Sequence, residues 1–122
     1  MSLPILPDKI AHQKRKPSVA IKSLTGCAGC QLTIYFIKDQ LLKFANAFDV
    51  VEASMIGLKK EGPYDICIVE GMVASQDDLD RLKKWREEST LLVAWGTCAT
   101  HANVQGMKSM MKKGDAEKIV YG

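Results

Sequence analysis

The sequence predicts an α/β fold, a flavodoxin-like doubly wound parallel sheet with strand order 2-1-3-4. Three observations carry that prediction. Short apolar runs alternate with helical patterns in the order βαβ, then βαβ. The run Tyr64-Asp65-Ile66-Cys67-Ile68-Val69-Glu70-Gly71 is apolar throughout its centre rather than alternating, which marks a strand covered on both faces. Cys27, Cys30 and Cys98 each follow such a run closely. In a parallel α/β sheet the carboxyl ends of the strands share one edge, and ligands bind there.

The elements follow in order. Residues 1–17 carry Pro4, Pro7 and Pro17 amid charge and predict a flexible basic arm. Strand 1 is expected over 19–24. A helix is expected over 31–47, with Asp39, Lys43 and Asn46 on its wet face and Leu32, Phe36, Leu41, Leu42 and Phe44 on the sheet. Strand 2 is expected over 50–54, then a charged loop to Pro63, then strand 3 over 64–71. Ser75-Gln76-Asp77-Asp78 reads as a helix cap with an acid at its third helical position. The helix it opens would bury Leu79, Leu82 and Trp85. Asp77 with Arg81, and Asp80 with Lys84, would pair on its outer face. Strand 4 is expected over 91–95 and a short helix over 106–113. A complete sheet of this type has a fifth strand, and residues 118–122 read only as the beginning of one. The domain therefore reads as 18–122, the amino-terminal part of a flavodoxin-like ligand-binding domain that stops early.

Bulk properties bound the function. The 122 residues suit one domain, and 47% apolar residues suffice for a core. The net charge of +3 is mild, and its excess sits in Lys14, Arg15 and Lys16 and in Lys108, Lys112 and Lys113. That pattern reads as a solvated arm rather than a nucleic-acid surface. No apolar run approaches the roughly 20 residues of a membrane span. The first 18 residues lack an apolar segment with a cleavage site, so a cytoplasmic chain is expected. Four cysteines in such a chain favour metal or redox chemistry over disulfides.

With strand 3 between strands 1 and 4, one edge would collect Cys27 and Cys30, Glu70 and Gly71, and Gly96, Thr97 and Cys98. Thiolates suit iron–sulfur clusters and zinc. Gly26, Gly29, Gly71 and Gly96 would let backbone approach a bulky group and offer it N–H donors. Glu70 could orient the thiol loop, bond backbone donors or relay protons. Cys67, in mid-strand, reads as a structural cysteine. Three other readings stay open. Cys27 and Cys30 could cycle as a thioredoxin-like dithiol. Cys27, Cys30, Cys98 and His101 spell a Cys₃His zinc site of an interaction module. Thr25-Gly26 is a thin version of a flavin phosphate loop. The stripe Met107, Met110, Met111 suggests packing against something further.

Leu24-Thr25-Gly26-Cys27-Ala28-Gly29-Cys30-Gln31, Val69-Glu70-Gly71 and Gly96-Thr97-Cys98-Ala99 together resemble the small subunit of nickel–iron hydrogenases. The nearest type is the cytosolic one found with coenzyme-reducing hydrogenases and sulfhydrogenases. The 20 kDa subunit of NADH:quinone oxidoreductase is related but typically pairs adjacent cysteines, which this chain lacks. The resemblance covers residues 18–107. It implies an electron-transfer subunit holding a proximal [4Fe–4S] cluster beside a catalytic large subunit that carries nickel and iron, with other electron-transfer subunits alongside. It implies Cys27, Cys30 and Cys98 as ligands, with Gly26, Gly29, Glu70, Gly71, Gly96 and Thr97 around the cluster. The family's fourth cysteine lies in a later Gly-Cys-Pro motif, which these 122 residues do not contain. The sequence thus reads as an amino-terminal fragment whose strand 4 is an exposed edge.

Overall fold

The structure is a computed structural model that describes residues 15–122, save the side chains of residues 105 and 108. Four strands form one parallel sheet: β1 (Ser18–Ser23), β2 (Asp49–Ala53), β3 (Tyr64–Glu70) and β4 (Ser89–Ala94), in the order β2-β1-β3-β4. The expected 2-1-3-4 sheet is the observed one. β3 pairs with β1 from Val19↔Ile66 to Ser23↔Glu70 and with β4 from Tyr64↔Ser89 to Val69↔Ala94. β2 carries one extra residue, because the register moves from Val19↔Val50 to Ala20↔Glu52.

The continuous apolar run of β3 divides by parity, since successive side chains point to opposite faces. Ile66 and Ile68 join Val19, Ile21, Ile34 and Ala53 on one face, with Phe44, Phe48, Leu91 and Val93 packed around them. Cys67 and Val69 join Ala20, Leu24, Tyr64 and Trp85 on the other, with Leu82 and Leu92 at its margin. The helices α1 (Gly29–Tyr35) and α2 (Asp39–Ala47) cover the first face, and α3 (Gln76–Glu88) covers the second. Two layers of helix around a sheet thus bury both of its surfaces, as a doubly wound fold requires.

Several expectations are corrected. The helix expected over 31–47 is broken in two. Lys38 stands between the pieces with φ 49°, although no glycine or proline marks the spot. Phe44 and Phe48, four residues apart at the end of α2, pack with ring centroids 5.0 Å apart, while Phe36 and Leu42 face outward, each 72% exposed. Those two do not cover the sheet; Ile34, Tyr35, Phe44 and Phe48 do. The cap on α3 is as expected, with the Asp78 N–H donating to Ser75 Oγ at 3.2 Å. Arg81 pairs with Asp77, but Asp80 accepts from Gln76 Nε2 and Lys84 lies 3.8 Å from Glu88 instead.

The carboxyl-terminal segment departs most. A five-residue helix, α4 (Thr97–His101), carries Cys98, and a 3₁₀ segment spans Gln105–Met110. Residues 118–122 do not open a strand. They end α5 (Asp115–Tyr121), whose first turn holds Asp115 and Glu117, acids that complement the helix amino terminus. Among the described residues β4 is therefore an edge strand, with Leu91, Leu92 and Val93 only half-buried.

Most of the amino-terminal arm lies outside the described residues. Residues 15–17 are docked: Arg15 reaches Asp65 at 3.0 Å, and the Pro17 carbonyl accepts from Asp49 N–H at 2.9 Å. Asp65, nearly buried, also accepts from the N–H and hydroxyl of Ser18.

Candidate functional site

The site grows out of the exits of β1, β3 and β4. Past Ser23 the pairing with β3 continues: Leu24 N–H donates to the Glu70 carbonyl at 2.9 Å, and Thr25 and Met72 exchange two backbone bonds in an antiparallel bridge. Gly71 makes this approach possible. Its φ is +83°, and a Cβ there would stand 2.8 Å from the Thr25 oxygen. Beyond Thr25 the chain runs through Gly26 and Cys27, turns at Ala28 in left-handed conformation, and enters α1 with Cys30 as its second residue. Gly29 N–H points at Cys27 Sγ from 3.4 Å.

The β4 exit meets this loop directly. Trp95 N–H still donates to the Val69 carbonyl at 2.8 Å, and the Trp95 indole donates to the Cys30 carbonyl at 3.0 Å. The next residue, Gly96, has φ +89° and packs on the Cys30 side chain; a Cβ there would collide with Cys30 Sγ and stand 3.2 Å from its Cβ. Thr97 then starts α4, and Cys98 is its second residue. Cys30 and Cys98 thus occupy the same position in two short helices, each following a parallel strand. Cys27 is exposed, Cys30 and Cys98 are half-buried, and none of the four cysteines is in a disulfide.

The other candidates separate. Glu70 is 4% exposed; its carboxylate accepts from Ser23 Oγ at 2.6 Å, and its main-chain carbonyl, not its side chain, holds the thiol loop. Thr97 is exposed at the start of α4. His101 is exposed and bonds Thr100 Oγ1 through Nδ1 at 2.7 Å. Among the described residues no three Cys, His, Asp or Glu side chains converge closely enough to hold one metal ion. Pro63 stands at the amino end of β3, across the sheet from Cys27 and Cys30. Cys67 is fully buried, and burial pushes its thiol up to about 12, as expected of a structural residue.

Two polar groups escaped the sequence reading. Asp78 is 2% exposed, yet its carboxylate accepts from Thr25 Oγ1 at 2.6 Å, from Ala74 N–H at 3.1 Å and from Arg81. The Thr25 hydroxyl foremost, with Ala74 and Arg81, holds it below the usual carboxylate range against the opposing effect of burial. Its place in a capping pattern was legible; its partner across the sheet was not. Lys22 projects from near the carboxyl end of β1 toward α3, pairs with Glu52, and lies over the rings of Tyr64 and Trp85 at 5.2 and 5.3 Å. Tyr64 donates to the same carboxylate, and burial and Glu52 together push its phenol up. Beside the open edge of β4 a groove of about 630 Å³ is lined by Val69, Leu82, Leu92, Cys98 and His101 among others.

Comparison with known proteins decides the family. The profile described as NADH ubiquinone oxidoreductase, 20 Kd subunit, matches residues 27–121. The chain belongs to that family. This member is 38% identical over 105 residues to sulfhydrogenase 2 subunit delta of Pyrococcus furiosus, covering 85% of this chain and 44% of that one. It is 32% identical over 105 residues to a subunit of the F420-non-reducing hydrogenase of Methanocaldococcus jannaschii, covering 84% and 36%. With the NAD-reducing hydrogenase HoxS subunit delta of Cupriavidus necator it shares 28% identity over 119 residues, covering 97% and 57%. The crystal structure of an NAD+-reducing [NiFe]-hydrogenase in the H2-reduced state superposes with a TM-score of 0.75 at 28% identity, over 86% of this chain and 57% of that one. The chain thus spans between about a third and just over half of the proteins it matches. Among the described residues no helix is long and apolar enough to cross a membrane.

Proposed function

We propose that this chain is the electron-transfer subunit of a nickel–iron hydrogenase-like oxidoreductase. It would hold a proximal [4Fe–4S] cluster next to a catalytic large subunit carrying nickel and iron, in the cytoplasm, with further electron-transfer subunits beyond. Cys27, Cys30 and Cys98 are the proposed ligands. Gly26, Gly29, Gly71, Gly96 and Thr97 supply backbone around the cluster, and Glu70 anchors its loop. The observation that carries the reading is the contact of Gly96 with Cys30. It joins the loop that leads into Cys98 to the loop that carries Cys27 and Cys30, and it leaves no room for a side chain between them.

The donor set fits the group. Thiolates are the ordinary ligands of iron–sulfur clusters, and backbone N–H groups near their sulfurs tune the potential. Cys67 is excluded as a fourth ligand by its complete burial in β3. The fourth ligand would then be a group other than the four cysteines of these 122 residues. When bound, the cluster would take up and release single electrons. The chain's own residues hold it, exclude water from one side and fix its loops. Catalysis belongs to the partner chain.

Anaerobic incubation of the chain with ferrous iron, sulfide and an excess of a small thiol as fourth ligand tests this. About four iron and four sulfide per chain are expected, with broad sulfur-to-iron absorption that bleaches on reduction. Cys27→Ser and Cys98→Ser should each reduce the iron content several-fold, and Cys67→Ala should not. One zinc per chain without sulfide, lost on His101→Ala, would overturn the reading.

A further inference from the structure

We propose that Asp78 is a positioning residue for the thiol-bearing loop: through Thr25 it fixes the segment that carries Cys27 and Cys30. The proposal deepens the cluster reading and rests on it for its functional meaning.

Thr25 is the last residue before the loop whose place is fixed from two sides. Its backbone is bridged to Met72 on the β3 exit, and its hydroxyl donates to Asp78 on the first turn of α3 at 2.6 Å. The same Asp78 oxygen accepts from Ala74 N–H at 3.1 Å, so one carboxylate grips the β1 exit and the β3 exit together. Arg81 holds the other oxygen. Bonds to a charged acceptor are roughly twice as strong as neutral ones. Thr25 is itself exposed, so its hydroxyl is not there to satisfy a burial requirement. Gly26, which follows, has no side chain to anchor it. Without the Asp78 bond the loop would be held only by the backbone bridge until Gly29 and Cys30 enter α1. Groups that bond a metal-holding segment from behind orient its ligands, and Asp78 stands in that position.

A bland alternative is that Asp78 merely caps α3. The two roles use different atoms. The cap is the Asp78 N–H to Ser75 Oγ bond, which Thr25 does not touch. Thr25→Val removes the hydroxyl, keeps the shape and spares the cap. Amide hydrogen exchange of residues 26–30 and the alkylation rate of Cys27, mapped by mass spectrometry on the full chain, read the loop. Thr25→Val should raise both by about tenfold, the scale of a hydrogen bond to a charged group, while amides of α3 exchange as in the wild type. Thr25→Ser should restore both rates. Asp78→Asn should raise the same loop signals. Unchanged loop rates in Thr25→Val, or an equal rise throughout α3, would overturn the proposal. Neither measurement needs a metal. A chain that took up no iron and sulfide would therefore overturn the cluster reading and leave this test standing.

Discussion

At the scale of single residues, the site depends on atoms that are missing as much as on those present. Gly96 is the clearest instance, because its φ of +89° and its contact with Cys30 each exclude a side chain. Gly96→Ala should cost roughly 1–3 kcal/mol for a conformation that is essentially glycine-only. It should also push Cys30 away and abolish iron uptake. Urea unfolding and iron analysis check the two effects, and full iron uptake would contradict the contact. Asp78 gives a prediction in pH. Its folded carboxyl titrates below the usual carboxylate range, first because of the Thr25 hydroxyl. The stability it contributes is therefore fully present above the ordinary carboxylate value and is lost as pH falls through its lower folded value. Asp78→Asn should flatten the acid limb of stability against pH and leave the slope near neutrality unchanged. An unaltered acid limb would show that the carboxylate bonds do not persist in solution.

At the scale of elements, the helix break tests how local sequence and tertiary packing share control. Lys38 carries φ 49°, which a side chain adopts only with strain. Lys38→Gly should therefore stabilise the protein by about 1 kcal/mol, whereas in an unbroken helix the same change would destabilise by about 1 kcal/mol. Thermal unfolding separates the signs. The break also shows why part of the fold was legible in sequence and part was not. β1, β3 and β4 announce themselves through continuous apolar runs, and the Ser75 cap announces α3, because those signals are local. The sheet order follows from the βαβ rhythm. The turn at Lys38 has no local signal, and it accompanies the packing of Phe44 and Phe48 against Val19, Ile21 and Ile66, residues distant in sequence. The Asp78–Thr25 bond spans β1 and α3 for the same reason. Cys27, Cys30 and Cys98 could be placed on one edge from strand order alone. That Gly96 would seat against Cys30 could not, since it depends on how far the β3–β4 pairing runs past Ala94 to Trp95. Residues 118–122 misled because Ile119, Val120 and Tyr121 are strand formers, while Ala116, Glu117 and Lys118 with the acids at 115 and 117 favour a helix.

At the scale of the whole molecule, the two sides of the sheet are unequally finished. β2 and β1 are backed by α1 and α2, and β3 and β4 by α3, but β4 leaves Leu91, Leu92 and Val93 half-buried with the groove beside them. The segments that follow β4 expose apolar side chains: Val104 at 68%, Met110 at 84%, Val120 at 70% and Tyr121 at 85%. An uncovered strand edge next to an apolar surface favours association, since it offers both backbone bonds and area to bury. Its position matters, because α4 puts Cys98 at the same margin. Whatever covers the groove would also shield one side of the thiol site, so assembly and the environment of the site would be set together. Sedimentation of the 122-residue chain over a range of concentrations should therefore show self-association. Val120→Lys with Tyr121→Lys should shift it toward monomer with unchanged far-ultraviolet circular dichroism, because neither side chain packs into the core clusters. A concentration-independent monomer of the unaltered chain would mean that α5 and the 3₁₀ segment fold over the groove in solution. The thiol site would then be shielded from that side by its own chain, and a partner would have to approach it from the exposed side of Cys27.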